Sequence, residues 1–325
     1  MRIRIVTPAV RGSRAGNRVT AERWAKILRV LGHRVTIATT FETEPSDLLV
    51  ALHARKSWPS VRRFRLRYPD RPIVTALTGT DLYRDLGASA AARQSLDLSD
   101  AIVVLQPNAL DELTPPWKSK TRVIVQSAVA NDVLRLPRRP HTFDVCVLGH
   151  LRVIKDPFRT AYAVRRLPSA SRIRVRHVGA ALTKTIERRA RAEVKRNPRY
   201  HWLGERSRAL AQRVLVRSRV LVLSSRSEGG ANVISEAVVR SIPILASRIP
   251  GTTGLLGEDY PGYFTTGNTS DLRGLLERVE TDHVFYRELK SHVVKLAPMF
   301  RPDRENQSWK ELLATLAHPS AKAHL

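Results

Sequence analysis

The sequence predicts an α/β protein of two doubly wound domains, each built on a parallel sheet, that face each other across a cleft. Short apolar runs alternate with helical patterns along the chain, which is typical of successive βαβ units. The length of 325 residues suits about two domains, and residues 136–141 form a Pro- and Arg-rich linker without periodicity. We expect a first domain over residues 1–138, a second over 139–298, and a C-terminal helix over 299–325 that returns toward the first domain.

The first half of the chain predicts six strands, with an amphipathic helix between the first two. The apolar side chains of this helix recur on one face, and Gly32 ends it. These apolar residues are Trp24, Ile27, Leu28 and Leu31. The predicted strands are residues 3–6, 35–38, 48–52, 73–77, 101–105 and 123–125.

The second half repeats the alternation without repeating the sequence. Five further strands are predicted, and a last helix over residues 304–316 follows the breakers Pro298 and Pro302. The strands are residues 144–148, 173–178, 200–203, 220–224 and 244–246. Both halves therefore predict a parallel sheet flanked by helices.

Composition narrows the classes of function. Lys and Arg number 56 against 29 acidic residues, giving a net charge of +27. This Arg-rich excess suits phosphate recognition but equally fits a GC-rich genome. The cations are scattered over helical segments, and no zinc-finger spacing, helix-turn-helix or aromatic platform accompanies them. We therefore expect attraction for anionic ligands and no nucleic-acid partner.

The sequence also indicates a cellular compartment. No apolar stretch approaches the roughly 18 residues of a membrane span, and the N-terminus has the pattern of a strand rather than of a signal peptide. The single cysteine, Cys146, lies in an apolar run, as a core residue in a reducing compartment does. We expect a soluble cytoplasmic protein that does not bind membranes.

The segment after the predicted strand at 220–224 carries the clearest chemistry. A Gly-rich loop leads into a helix that begins near Asn232, which would direct backbone N–H groups at an anion. Glu228 would lie on the loop, and Glu236 would lie one turn inside the helix. A carboxylate at the position of Glu236 can accept hydrogen bonds from a vicinal diol such as that of ribose. Alternatively, both are solvated acids at a helix start.

This segment is followed by Pro243-Ile-Leu and by a second glycine loop at 251–254. Together these motifs resemble glycosyltransferase family GT4. Members of that family are retaining enzymes that use nucleotide sugars and have the GT-B fold of two Rossmann-like domains. The family also has a Gly followed by an Arg and a Lys that hold the donor diphosphate. Here Lys155 stands at the Lys position, His150 departs from the Arg, and Arg152 offers a replacement. The resemblance implies that a UDP-sugar is bound by His150, Arg152, Lys155, Gly204, Ser225, Glu228, Gly229, Gly230, Ala231, Asn232 and Glu236.

Motifs of the first half narrow the resemblance. The run Ser13-Arg-Ala-Gly-Asn-Arg18, with the segments at 47–56, 77–83 and 125–128, is similar to the selenosugar synthases of selenoneine biosynthesis. Those relatives of GT4 join a UDP-sugar, in the best-known case UDP-N-acetylglucosamine, to selenophosphate through a carbon–selenium bond at the anomeric carbon. The resemblance implies links to selenophosphate synthetase and to the downstream selenoneine synthase.

A small polyanionic acceptor needs a cradle of charged and N–H donors. Arg14 and Arg18 flank a predicted helix start, where two guanidinium groups could converge on one anion. The expected selenophosphate site consists of Arg14, Gly16, Asn17, Arg18, His53, Thr78, Thr80 and Asp81. Cations at strand ends are also often solvent-facing, and the Thr-Gly-Thr-Asp run is also a turn sequence.

The catalytic residues expected on this basis are His53, Thr78, Lys155 and Glu228. Many GT4 enzymes carry a His where Thr78 and Thr80 stand, but an already anionic selenium needs no general base. The sequence has no Asp-x-Asp triplet, so we expect neither a metal nor another cofactor, with cations stabilising the departing diphosphate.

Two alternatives remain open from the sequence. An ordinary GT4 oxygen glycosyltransferase acting on a lipid or polysaccharide would need a membrane-docking helix, for which residues 58–68 are the candidate; the same residues also suit a crossover helix packed on the sheet. A nucleic-acid-binding protein would leave the pairing of Glu228 with Glu236 unexplained.

Overall fold

A computed structural model of the chain describes residues 1–13, 15–130, 137 and 139–317. These residues divide into two compact units. The first unit comprises Met1–Ser127, Glu228–Asn232 and the chain from Arg301 onward, and the second comprises Ala128–Ser227 and Val233–Phe300. The predicted domain boundary at residue 138 and part of the predicted linker lie outside the described residues.

Each unit contains a six-stranded parallel sheet. The strands are β1 (Arg2–Val6), β2 (Arg34–Ala38), β3 (Leu48–Leu52), β4 (Ile73–Ala76), β5 (Ala101–Val104), β6 (Thr121–Val123), β7 (Phe143–Leu148), β8 (Ile173–Val178), β9 (Tyr200–Trp202), β10 (Val220–Leu223), β11 (Ile244–Ser247) and β12 (Tyr263–Phe264). Their spatial orders are β2-β1-β3-β4-β5-β6 and β12-β11-β10-β7-β8-β9. The α/β prediction is confirmed, and among these strands only the short β12 was not predicted.

Helices connect the strands in both units. They are α1 (Gly16–Val30), α2 (Ala54–Arg67), α3 (Leu86–Ala88), α4 (Ala90–Asp97), α5 (Pro115–Ser119), α6 (Arg159–Val164), α7 (Lys184–Arg196), α8 (Arg208–Arg217), α9 (Asn232–Val238), α10 (Pro250–Leu256), α11 (Thr269–Thr281), α12 (His283–Leu296) and α13 (Pro302–Ala317). Short 3-10 turns cover Pro107–Glu112, Val153–Lys155 and Ala297–Phe300, and a π turn covers Asp81–Asp85.

One face of the first sheet is covered by α1 and α13. The predicted apolar face of α1 is buried there, and Trp24 packs edge-on against Trp309 with ring centroids 4.9 Å apart. Gly32 follows α1 with a φ of 87°, a backbone conformation that costs little only for glycine. The helix therefore ends where the sequence predicts.

A buried carboxylate ties α13 to the rest of the first unit. Glu305 is 1% exposed and accepts hydrogen bonds from Trp24 Nε1 (2.9 Å), from the Ser127 backbone N–H (2.8 Å) and from Ser127 Oγ (2.6 Å). Burial raises the pKa of this carboxyl. Helix α13 is thus held by hydrogen bonds to Trp24 on α1 and to Ser127.

The opposite face of the first sheet is covered partly by α2. Its Val61 and Phe64 are fully buried in a cluster with Phe41, as a crossover helix packed on the sheet requires. Most of the segment considered for membrane docking is therefore this crossover helix. Within the described ranges, no helix combines the length and the apolar character needed to cross a bilayer.

Candidate functional site

In the second unit, the predicted donor residues lie near the point where the strand order reverses. Strands β7 and β10 are neighbours, although β8 and β9 come between them in the chain. The loops that follow them are joined by hydrogen bonds from Arg226 N to Ile154 O (2.8 Å) and from Ser224 Oγ to the carbonyls of Lys155 (3.3 Å) and Asp156 (3.0 Å). Doubly wound sheets bind ligands at such reversal points, outside the carboxyl ends of the strands.

The loop after β7 presents the predicted diphosphate ligands. The His150 ring is oriented by the Ala180 backbone N–H, which donates to Nδ1 (3.1 Å), so a neutral ring carries its proton on Nε2 as a donor. Arg152 is exposed, and Lys155 is half-buried at the end of the 3-10 turn. One imidazole, one guanidinium and one ammonium are thus carried by three residues within six consecutive positions, 150–155.

Close backbone packing and a buried histidine fix the start of this loop. A Cβ atom on Gly179 would lie 1.8 Å from Gly149 O, so the two backbones touch. The His177 ring, 1% exposed, bonds Gly149 O through Nε2 (3.1 Å) and Tyr200 Oη through Nδ1 (2.8 Å). Gly204, another predicted donor residue, accepts the Gly179 N–H (2.9 Å). Burial lowers the pKa of His177 to about 4, so the ring is neutral near pH 7.

Glu236 lies one turn inside α9, as predicted. Its carboxylate is 3.6 Å from Arg208 Nη2 at the start of α8, and its own exposure is small whereas Arg208 is largely exposed. Ser225, the other donor residue in this unit after β10, is buried, and its carbonyl accepts a hydrogen bond from Ser247 Oγ. Glu236 is thus a partly shielded carboxylate with an exposed, replaceable cationic partner.

The residues from 228 to 232 group with the first unit. Glu228 and Ala231 are mostly buried, and Asn232 begins α9, which is seven residues long. The predicted helix start at Asn232 is therefore confirmed. Whether these residues bind a sugar nucleotide stays a prediction.

The two glycines of this segment have a steric reason to be glycines. A Cβ on Gly229 would lie 2.4 Å from the Thr78 carbonyl carbon, and one on Gly230 would lie 2.4 Å from Leu105 Cβ. Gly79, on the opposing backbone, has a φ of 134°, and a Cβ there would lie 2.9 Å from Gly229 N. Close approach of two chain segments thus accounts for the glycine pair without a ligand.

In the first unit, the predicted acceptor residue His53 follows β3. It has a φ of 74°, a strained conformation for a non-glycine residue that is often found at functional sites. Its Nδ1 accepts the Lys56 N–H (3.5 Å), and its Nε2 lies 3.2 Å from Thr80 Oγ1 and 3.9 Å from Asp85. Burial lowers the pKa of His53, with Asp81 opposing the effect, so the buried ring is neutral near pH 7.

Asp81 shapes the loop that follows β4. Its fully buried carboxylate accepts the backbone N–H groups of Thr78 (2.9 Å), Gly79 (2.8 Å) and Ala54 (3.1 Å). The Thr-Gly-Thr-Asp run is therefore a turn held by its own aspartate, as one of the two sequence interpretations suggests. Thr78 and Thr80 are half-buried on this turn.

The predicted anion cradle at the start of α1 is only partly described, because Arg14 lies outside the described residues. Gly16 and Asn17 are the first two residues of α1. Arg18 is buried, and its Nε donates to Glu22 one turn later (2.7 Å). This bond uses one edge of the guanidinium and leaves both Nη groups without a hydrogen bond to any described residue.

Sequence reasoning missed several groups that support these loops. Asp85 approaches His53 and pairs with Arg55 (2.7 Å), and Arg208 pairs with Glu236. The pairing of His177 with Tyr200 was also missed, although a polar residue on a buried strand, two positions before a glycine, was a usable signal. Arg208 offered no such signal, because it is one of many exposed arginines in the sequence.

Comparison with known proteins agrees with this arrangement. Residues 135–295 match the family described as Glycosyl transferases group 1. The structure is similar to that of Anabaena Alr3699/HepE, solved in complex with UDP and glucose, with a TM-score of 0.77 and 15% identity over 97% of this chain and 100% of that one. It is also similar to sucrose-phosphate synthase from Thermosynechococcus elongatus (TM-score 0.76, 15% identity, 98% and 100% covered) and to a glycosyltransferase from Rickettsia africae (0.72, 12%, 98% and 99%).

At these identities the structural likeness establishes the fold, and the family match establishes the kind of domain. Both agree with the resemblance to nucleotide-sugar glycosyltransferases seen in the sequence. The chain thus has a GT-B-like fold, and its residues 135–295 form a domain of the glycosyl transferases group 1 family.

Proposed function

We propose that this chain is a UDP-sugar-dependent glycosyltransferase that uses selenophosphate as its acceptor. The anomeric carbon loses its bond to UDP and gains a bond to selenium. Hydrolysis of the phosphorus–selenium bond by water releases phosphate, so the products are a 1-selenosugar, UDP and phosphate. UDP-N-acetylglucosamine is the expected donor, and neither a metal nor another cofactor takes part.

One observation carries the donor half of this proposal. A glycosyl transferases group 1 domain holds a cationic loop, residues 149–155, beside the loop after β10 at the reversal point of its sheet. His150, Arg152 and Lys155 suit a diphosphate because charged donors stabilise the negative charge that grows on a departing phosphate. Glu236 suits the ribose diol. The similar Anabaena protein, solved with UDP and glucose, is consistent with a UDP-sugar donor.

The acceptor half rests on the resemblance of the first-half motifs and on the chemistry of the first unit. Selenophosphate offers little apolar surface, so its affinity must come from charge-assisted hydrogen bonds. Arg18 is buried, its Nε donates to Glu22, and its Nη groups bond to no described residue; it lies next to the first N–H groups of a fifteen-residue helix. His53 and Thr80 provide further polar groups.

We expect Glu236→Ala to weaken UDP binding by about 1–3 kcal/mol, the contribution of a lost hydrogen bond to a charged group. Calorimetry with UDP measures this directly. Glu187→Ala is the matched control, because Glu187 pairs with Arg191 on an exposed helix of the same unit and should leave affinity unchanged. A folded Glu236→Ala protein that binds UDP like the wild type would contradict the assignment of Glu236.

We expect Arg18→Lys to raise the KM for selenophosphate about tenfold, because a point charge cannot replace the two-pronged guanidinium. The KM for the UDP-sugar should not change, and inorganic phosphate should compete with selenophosphate only. Arg34→Lys, at an exposed position on β2, serves as the control. An unchanged selenophosphate KM would show that the acceptor binds elsewhere, and a neutral sugar proving the better acceptor would favour an ordinary oxygen glycosyltransferase.

A further inference from the structure

We propose that His177 is a positioning residue for the cationic loop of residues 149–155, called the donor loop below. It fixes the Gly149–His150 peptide and thereby the direction of the groups that meet the diphosphate. This inference rests on the proposed binding of a UDP-sugar by residues 149–155. No residue of β8 was expected to act at the site.

The hydrogen bonds of His177 assign its protons. Gly149 O is a carbonyl and can only accept, so Nε2 of His177 carries the proton and donates at 3.1 Å. Nδ1 then accepts from Tyr200 Oη at 2.8 Å. Tyr200 is 1% exposed, and burial raises the pKa of its phenol, so the hydroxyl keeps the proton that it donates. Two buried hydrogen bonds thus link Tyr200 to His177 and His177 to Gly149.

The hydrogen bond to Gly149 O sets the plane of one peptide. In a trans peptide the C=O and N–H bonds point in opposite directions. Holding Gly149 O toward the buried imidazole therefore directs the His150 N–H away from it, and no acceptor in the described part of the chain takes that N–H. The peptide cannot settle elsewhere cheaply, because Gly179 covers one side of it, with 1.8 Å between a Cβ on Gly179 and Gly149 O.

The orientation of the residues after the Gly149–His150 peptide depends on the orientation of that peptide. Leu151 N donates to Ala180 O (2.8 Å), and Ala180 N donates to His150 Nδ1 (3.1 Å), so backbone and ring are aligned on the same stretch after β8. In this network the Gly149 carbonyl is held by the His177 side chain rather than by a backbone N–H. Removal of the imidazole N–H should therefore loosen the diphosphate side of the site and leave the remaining backbone contacts intact.

The test compares UDP with uridine, which lacks the diphosphate, by calorimetry. We expect His177→Phe to weaken UDP binding at least tenfold and uridine binding less than twofold. His177→Gln, whose amide can donate to Gly149 O, should restore UDP affinity to within threefold of the wild type. Tyr200→Phe should weaken UDP binding a few-fold, and Tyr260→Phe, a buried tyrosine bonded to Ile244 in the same unit, should not change it.

The outcomes separate this inference from the proposed function. If the wild-type chain binds no UDP, the proposed function fails. If the wild type binds UDP but His177→Phe binds it equally well, or loses UDP and uridine to the same degree, the positioning role is wrong. Failure of His177→Gln to restore affinity also contradicts it. If His177→Phe does not fold, Tyr200→Phe tests the positioning role instead. Unchanged UDP affinity in Tyr200→Phe would contradict the proposed hydrogen bonds from Tyr200 through His177 to Gly149.

Discussion

Replacing Lys155 with Ala is expected to lower kcat by about 100- to 1,000-fold, the usual effect of removing one group that stabilises charge developing in a transition state. Lys155 is the last residue of the 3-10 turn within residues 149–155, and its carbonyl accepts a hydrogen bond from Ser224, which follows β10. In the proposed reaction the negative charge on the diphosphate grows as its bond to the sugar breaks. The interaction is therefore stronger in the transition state than in the ground state, and kcat rather than uridine affinity should fall.

Steady-state kinetics at saturating UDP-sugar and calorimetry with uridine measure the two quantities separately. Lys184→Ala is the matched control, because that lysine is an exposed residue at the start of α7 in the same unit. A Lys155→Ala enzyme that keeps most of its turnover at saturating donor would show that Lys155 does not act on the leaving group. A parallel loss of uridine affinity would assign Lys155 to ground-state binding instead.

Glu305→Ala is expected to lower the free energy of unfolding by about 3 kcal/mol. The substitution leaves the buried Trp24 indole N–H and the Ser127 backbone N–H without their charged acceptor, and hydrogen bonds to charged groups contribute about 1.5–3 kcal/mol each. Part of this loss is offset because burial raises the pKa of Glu305, which means that the ionised carboxylate itself is costly to bury.

Urea denaturation followed by tryptophan fluorescence measures the effect. Glu305→Gln keeps one acceptor oxygen and should cost about 1 kcal/mol. Glu311→Ala, on the exposed side of the same helix where Glu311 accepts from Gln307, should have little effect. A loss for Glu305→Ala no greater than that for Glu311→Ala would mean that the carboxylate does not hold α13 in place.

The sheet framework could be predicted because parallel strands are buried on both faces. Such strands appear in the sequence as continuous apolar runs, and β3 (Leu48–Leu52) is buried at every position. The missed strand β12 (Tyr263–Phe264) has only two residues, too few for any run to stand out. The start of α9 at Asn232 was predictable for a similar local reason, since a Gly-rich loop precedes it.

The site was less predictable because its supporting contacts join residues distant in the chain. The bond from His177 to Gly149 spans 28 residues, and the ion pair of Arg208 with Glu236 spans as many. Gly229 was assigned to a ligand from its motif, whereas its contact with Thr78 supplies a steric reason that no local pattern reveals. Asp81 was expected to line the acceptor site, yet it is buried and bonded to three backbone N–H groups.

The central claim is that the chain transfers a sugar from UDP to selenium, and mass spectrometry of the reaction products tests it most directly. The purified protein is incubated with UDP-N-acetylglucosamine, with and without selenophosphate, and the Lys155→Ala variant is run in parallel. We predict a sugar product with the isotope pattern of selenium and matching release of UDP, only when both substrates and active enzyme are present. Release of UDP without any selenium-bearing sugar, together with transfer to a carbohydrate or lipid hydroxyl, would contradict the claim.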